Sequence, residues 1–158
     1  MTIRQLDWQA DYPGMRICVV ALQQAERAMD HRMPRGEDIV DQYLTALKQD
    51  CQRYSGRILV VEVDQEIVGY VCLHCRYRSG SPYDGPDEYG YISDLVIRTP
   101  WRGRGYATTL IETAEQFART QQVKWLRIGV LASNTPALAL YRQHGFHDHE
   151  LQLEKPLD

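Results

Sequence analysis

Apolar and polar positions alternate along the chain in two periods, and the changes between them mark its elements. Thr2 to Leu6 reads as a short first strand. Met15, Cys18, Val19, Leu22, Ala25 and Met29 then recur at helical spacing, which predicts a long first helix. Pro34 and Gly36 interrupt it. Ile39, Val40, Tyr43, Leu44 and Leu47 restore the stripe as a second helix, with Glu37 and Asp38 in its first turn, where they favour the helix dipole. Ile58 to Val63 and Ile67 to Cys75 are apolar runs around the polar break Asp64-Gln65-Glu66, the pattern of a hairpin. Arg76 to Glu88 holds Gly80, Pro82, Gly85 and Pro86 and reads as a long loop.

Tyr89 to Ile97 reads as a buried strand that Thr99-Pro100 ends, because proline cannot donate to a ladder and restricts the residue before it. Tyr106, Ala107, Leu110, Ile111, Ala114, Phe117 and Ala118 form one face of a third helix, and Trp125 to Leu131 reads as another strand. Asn134 and Thr135 are capping types, Pro136 suits a first turn and Gly145 suits the position past a helix end, so a short helix runs from about Pro136 to His144. Phe146 to Leu157 supplies one last strand or a short pair. No repeat, linker or low-complexity tract divides the chain. The expectation is one α/β domain over residues 1–158, with helices packed on one central sheet.

Composition narrows the function. At 44% apolar and 25% charged, the chain has the balance of a folded globular domain and not of a disordered one. A net charge of -3 gives no basic field for nucleic acid or an anionic membrane surface. No apolar run approaches the roughly 20 residues of a membrane span, and the first residues lack a signal-peptide layout, so a cytoplasmic location is expected. The cysteines are Cys18, Cys51, Cys72 and Cys75. Cys72 and Cys75 lie in a strand pattern, where positions three apart point to opposite faces, so a reduced, structural role and no metal are expected. His144, His147 and His149 lack supporting ligands and read as surface or dipole-facing residues.

The segment Arg102-Gly103-Arg104-Gly105-Tyr106-Ala107 lies between a strand and a helix, where unpaired N–H groups and the positive helix end make an anion site. Glycine lets the backbone approach a ligand, and Arg102 and Arg104 favour a diphosphate over a single carboxylate. A Walker loop is ruled out by the missing Lys-Ser/Thr ending, and the glycines do not fit the dinucleotide fingerprint.

Here the sequence resembles the GNAT superfamily of N-acetyltransferases, whose central motif is Arg or Gln, two residues, Gly, one residue, then Gly or Ala. Arg102, Gly105 and Ala107 match in register. Ile92-Ser93-Asp94-Leu95-Val96-Ile97 is similar to the family's fourth strand, Asn134 with Tyr141 to its second motif, and Tyr141-Arg142-Gln143-His144-Gly145-Phe146 to its characteristic tail. The resemblance implies a mixed, mostly antiparallel sheet of about six to seven strands flanked by about four helices. It implies transfer of acetyl from acetyl-CoA to a primary amine of a small molecule or peptide by direct attack in a ternary complex. Backbone groups of Leu95, Val96 and Ile97 would pair with the pantetheine arm as an added strand, and the loop from Arg102 through Gly103, Arg104, Gly105, Tyr106 and Ala107 to Thr108 would cradle the diphosphate. The resemblance also implies Asn134 for the same cofactor site. Tyr141 is the implied acid for the departing thiolate, with a backbone N–H on Asp94 to Ile97 polarising the acetyl carbonyl.

Asp94 is the nearest candidate base. Along this strand the chain is similar to the diamine-acetylating branch, in which the carboxylate falls one residue earlier, where this chain has Ser93. Asp94 therefore stands either as base or as a structural acid, with Glu26, Asp30, Glu88 and a water-linked Tyr91 as substitutes. The acceptor pocket implied by the family would draw on Glu26, Asp30, His31, Asp84, Asp87 and Glu88, whose charge suits a cationic amine. Two other readings stay open: a non-catalytic acyl-CoA sensor, and a partner-binding protein. A homodimer is possible.

Overall fold

The middle strands are apolar on both faces because helices cover the sheet from either side. In the computed structural model of the chain, residues 1–84 and 88–157 are described, the Asp84 side chain excepted. Asp87 and the Asp84 side chain, with Gly85 and Pro86 of the expected loop, lie outside the described residues. Strands β1 (Thr2–Gln5), β2 (Gly56–Val63), β3 (Glu66–Tyr77), β4 (Tyr89–Ile97) and β5 (Leu126–Ile128) form one sheet in that order. The first four pair antiparallel, and β5 joins β4 in parallel.

Helices α1 (Tyr12–Met29) and α2 (Gly36–Arg53) lie on one face, where Met15, Cys18, Val40 and Leu44 pack with Val60, Tyr70, Cys72 and Val96. Helix α3 (Tyr106–Thr120) lies on the other, where Leu110, Ala114 and Ala118 pack with Val61, Val71, Leu73, Ile92 and Ile97. Helix α4 (Thr135–Gln143) is short and capped, with Asn134 Oδ1 accepting from the Ala137 N–H at 3.3 Å. No helix among the described residues is long and apolar enough to cross a membrane.

Four expectations need correction. The sheet has five strands among the described residues, not six or seven, and Phe146 to Leu157 forms none of them. The alternation of Leu151 and Leu153 imitates a strand, but both are exposed, at 75% and 83%, with no apolar face to cover them. Without a paired neighbour and a buried face, alternation alone does not hold a strand. The strand expected over Trp125 to Leu131 is shortened to Leu126–Ile128, because β4 offers it only Gly90, Tyr91 and Ile92. The long loop begins later than its composition indicates, since β3 runs on to Tyr77, and a single 3-10 turn follows at Pro82–Asp84.

Helix α1 is anchored at its start by an ionic clamp. Arg4 of β1 donates from its two terminal nitrogens to Asp11 at 2.7 and 2.8 Å and from Nε to Glu62 of β2 at 2.7 Å, while Asp11 also accepts the Asp7 N–H. Arg4 holds the Asp11 carboxyl below its usual range, mainly through those hydrogen bonds and against the effect of burial. The stabilisation is therefore present above the ordinary aspartate pKa of about 4 and is lost as pH falls through the lowered value. Asp11→Asn is expected to destabilise the fold by about 1–2 kcal/mol, the partial exposure of Arg4 limiting the effect. Urea unfolding at neutral and acid pH checks this: the gap between variant and parent should narrow as pH drops.

Candidate functional site at the open edge of β4

The pairing of β4 changes character at Ser93. Cys72 of β3 faces Asp94 while Leu73 faces Ile92, so Ser93 is an extra residue with no opposite, a β-bulge. On the other side the ladder to β5 ends at Ile92 opposite Ile128. Beyond the bulge, the Arg98 N–H donates to Val68 O of β3 at 2.9 Å, which sets the alternation: Asp94 and Val96 turn their backbone groups to β3, and Leu95 and Ile97 turn theirs the other way. Leu95 and Ile97 thus line a strand edge that β5 does not cover. Val96, expected with them, has its backbone engaged with Tyr70.

The glycine loop comes immediately after this edge. A 3-10 turn at Thr99–Trp101 leads from β4 into Arg102, whose Nε donates to Ile97 O at 2.8 Å and fixes the loop to the strand end. Gly103 and Gly105 adopt φ values of 73° and 80°, in the left-handed region that side chains disfavour, and a Cβ on either would point into open space. Gly105 is the N-cap of α3, and the first intrahelical bond runs from the Thr109 N–H to Gly105 O. The N–H groups of Tyr106, Ala107 and Thr108 have no partner within the helix and face its N-terminal end. Arg104 stacks over the Trp101 ring at 4.9 Å, leaving its charge beside the loop.

Helix α4 is tied to this end of α3 by His144, whose Nε2 lies 3.4 Å from Thr108 Oγ1. Tyr141 is 9% exposed and packs edge-on to Phe146, and among the described residues its hydroxyl makes no hydrogen bond. Burial, with the charge of Glu26 adding to it, pushes the Tyr141 pKa up to about 12, so the hydroxyl holds its proton at neutral pH. Asn134 spends its side-chain oxygen on the helix cap and keeps its amide NH2 as a donor group.

Asp94 is buried, and both its oxygens are taken: Tyr43 of α2 donates to one at 2.7 Å and Tyr70 of β3 to the other at 2.6 Å. Burial raises its pKa against the opposing pull of these two bonds. Glu26 on α1 feels Asp94 and Tyr141 electrostatically, and its pKa is raised, first by burial and then by Asp94. The other expected acids stand elsewhere. Asp30 is paired with Arg32 at 2.6 Å, Glu88 with Arg76 at 3.0 Å, and Tyr91 lies in a ring cluster with Tyr77 at 4.9 Å. His31 is exposed.

Tyr43 and Tyr70 are partners of Asp94 that sequence reasoning misses. A signal is present in the chain: each is a tyrosine in an otherwise apolar stripe, and a buried phenol needs an acceptor. The one acid inside the β4 run supplies it.

Comparisons with known proteins agree with the fold and identify the family. The chain is 27% identical over 125 residues, covering 79% of its own length and 68% of the other's, to the uncharacterized N-acetyltransferase YycN of Bacillus subtilis (strain 168). Across five such relatives the matched stretch spans 43% to 75% of the relative's length. Among solved structures, the tetramutant of the BH1408 protein from Bacillus halodurans superposes with a TM-score of 0.85 at 22% identity, covering 99% of this chain and 100% of that one. AAC(6')-Iy in complex with the bisubstrate analog CoA-S-monomethyl-acetylneamine superposes with a TM-score of 0.69 at 15% identity, covering 99% and 97%. At these identities the structures speak for the fold. A model of the acetyltransferase (GNAT) family matches residues 21–146, and the chain belongs to that family.

Proposed function

We propose that the chain is an acetyl-CoA-dependent N-acetyltransferase that acetylates a primary, cationic amine by direct attack in a ternary complex. The observation that carries the proposal is the continuity between the uncovered backbone of Leu95 and Ile97 and the left-handed loop at Gly103 and Gly105. An extended, amide-bearing arm that ends in a diphosphate satisfies both at once: the strand edge pairs with the arm, and the N–H groups at the start of α3 meet the anion. Arg104 adds charge there. The bisubstrate analog held by AAC(6')-Iy, which joins CoA to an acetylated amine, supports this class of substrates.

When bound, acetyl-CoA supplies an activated thioester, so that a C–N bond to the amine forms as the C–S bond breaks and the thiolate leaves. The chain's part is to move protons and hold charge. Glu26 takes the proton that the ammonium must lose, since its carboxylate is not committed to a hydrogen-bond partner in the way that Asp94 is. Tyr141 gives its proton to the departing sulfur and regains one from solvent. A backbone N–H within Asp94 to Ile97 takes the charge that develops on the acetyl oxygen. Asp94 acts as a positioning residue, holding the strand after the bulge through Tyr43 and Tyr70. The negative charges of Glu26 and Asp94 favour a cationic acceptor, such as a polyamine or an aminoglycoside.

Release of coenzyme A thiol across a panel of amines tests the reading directly, and no turnover with any amine, together with no binding of acetyl-CoA, would remove it. With an active amine, Tyr141→Phe is expected to lower kcat by about 10²–10⁴-fold while leaving the Kd for acetyl-CoA nearly unchanged. An unchanged kcat would take Tyr141 out of the acid role. The raised Glu26 pKa sets a second expectation. As pH falls through it, the carboxylate gains a proton and stops accepting one, so the acid limb of kcat/KM should lie above the ordinary carboxylate range. Glu26→Gln should lower kcat/KM and abolish that limb, whereas a variant that keeps it would return the base role to another group.

A further inference from the structure

Another group of side chains, unused by the acyl-transfer reading, gathers where the end of α2 meets β3. Cys51 stands in the last turn of α2, and Cys72 and His74 are two apart on β3, on one face of the sheet. Cys51 Sγ lies 3.6 Å from Cys72 Sγ, and Cys72 Sγ lies 3.8 Å from His74 Nε2. The three ligand atoms all fall within 4.8 Å of one another. A tetrahedral ion with bonds of about 2.3 Å to sulfur and about 2.0–2.1 Å to nitrogen separates its ligand atoms by about 3.5–3.8 Å. Both measured pairs lie close to that spacing.

The surroundings favour a cation over a purely structural cluster. A Cβ on Gly56 would lie 2.8 Å from Cys51 Cα and 3.0 Å from its Sγ, so a glycine there is what lets the end of α2 close down on the strands and bring the two sulfurs together. Cys72 and His74 are 0% and 3% exposed, and half-buried Cys51 leaves a route for an ion. His74 Nδ1 is buried and completes no hydrogen bond among the described residues, so only the Nε2 side of the ring, turned to Cys72, has a partner there. Its ring is held edge-on by Tyr54 at 5.7 Å with Nε2 turned to the sulfur. Asp94 faces Cys72 across the β3–β4 ladder and adds a negative charge near the three ligands.

We propose that Cys51, Cys72 and His74 form a binding site for one soft transition-metal cation of the Zn2+ class, between α2 and β3. Two thiolates and a neutral imidazole are the donor set that such ions select over hard cations. Both thiols lose their protons to solvent on binding, and the two sulfurs and the imidazole nitrogen form three bonds to the ion, leaving a fourth position for water. Because the ligands come from two elements, occupancy stabilises the folded chain. The site stands independently of the acetyltransferase reading.

The full chain, reduced with a phosphine and stripped by a chelator, is titrated with Co2+ and then with Zn2+. The expected result is a single equivalent of Co2+ with thiolate-to-metal charge-transfer absorption and the intense visible bands of a tetrahedral site, bleached by Zn2+, and a higher Tm with either ion. Cys51→Ser, nearly isosteric and at a half-buried position so that it folds, should weaken binding by more than the roughly ten-fold that losing even an indirect partner costs. Replacing His144, His147 and His149 with Gln should leave binding intact. The proposal is overturned if the parent shows no charge-transfer band, if Cys51→Ser binds Co2+ with unchanged affinity and spectrum, or if binding disappears with the three C-terminal histidines.

Discussion

The Asp94 carboxylate is buried with both oxygens occupied, one by the Tyr43 hydroxyl of α2 and the other by the Tyr70 hydroxyl of β3. A charge taken out of water is tolerated only when its lone pairs are met, and two phenols do that here. The consequence is geometric as well as energetic. The residue just after the bulge is fixed to a helix and to a neighbouring strand at once, so the register of Leu95 to Ile97 cannot slip. In a strand, a slip of one residue would reverse which backbone groups face outward. Burial raises the Glu26 pKa and the Asp94 charge adds to it, so Asp94 reaches the proposed proton acceptor on α1.

Beyond Asp94, Leu95 and Ile97 turn backbone donors and acceptors toward an edge that β5 does not cover. A strand edge left open is usually blunted or covered, because it pairs readily with other chains. Here the edge lies between two strands of a single sheet and leads into a helix start whose first N–H groups have no partner within the helix. Arg102 closes one acceptor, Ile97 O, and in doing so aligns the loop with the strand. The two glycines, at φ values above 70°, hold the backbone in a left-handed turn that side chains disfavour, just before the N–H groups that open α3. Under the proposed function, a single extended polyanionic substrate meets both demands, which is why its two halves are recognised by adjacent segments of the chain.

Much of this is legible in the sequence, and the parts that are not share a cause. The helices α1 to α4 and strands β1 to β4 follow from periodicity, capping residues and the Thr99-Pro100 stop, and α1 to α3 and β2 to β4 are buried along the faces their patterns define. The glycine loop is visible because Gly103 and Gly105 stand between a strand and a helix. The C-terminal strand fails because Leu151 and Leu153 alternate without a partner edge, and periodicity carries no information about partners. The division of Leu95, Val96 and Ile97 into outward and inward backbone groups depends on the bulge at Ser93, which no local pattern announces. The approach of Cys51 to Cys72 and His74 depends on close packing at Gly56, between residues far apart in sequence. Spacing within the Cys72 to Cys75 run points away from a metal; the relevant pair is instead Cys51 and Cys72.

Under the proposed function, the open edge of β4 and the start of α3 form one binding surface for acetyl-CoA. Amide hydrogen exchange, resolved by residue with and without saturating acetyl-CoA, tests this most directly. The prediction is slowed exchange at Leu95, Ile97, Gly103 to Gly105 and Tyr106 to Thr108 together, with the Val96 amide, already paired to β3, little changed. Protection elsewhere in the chain with none at these positions would contradict it.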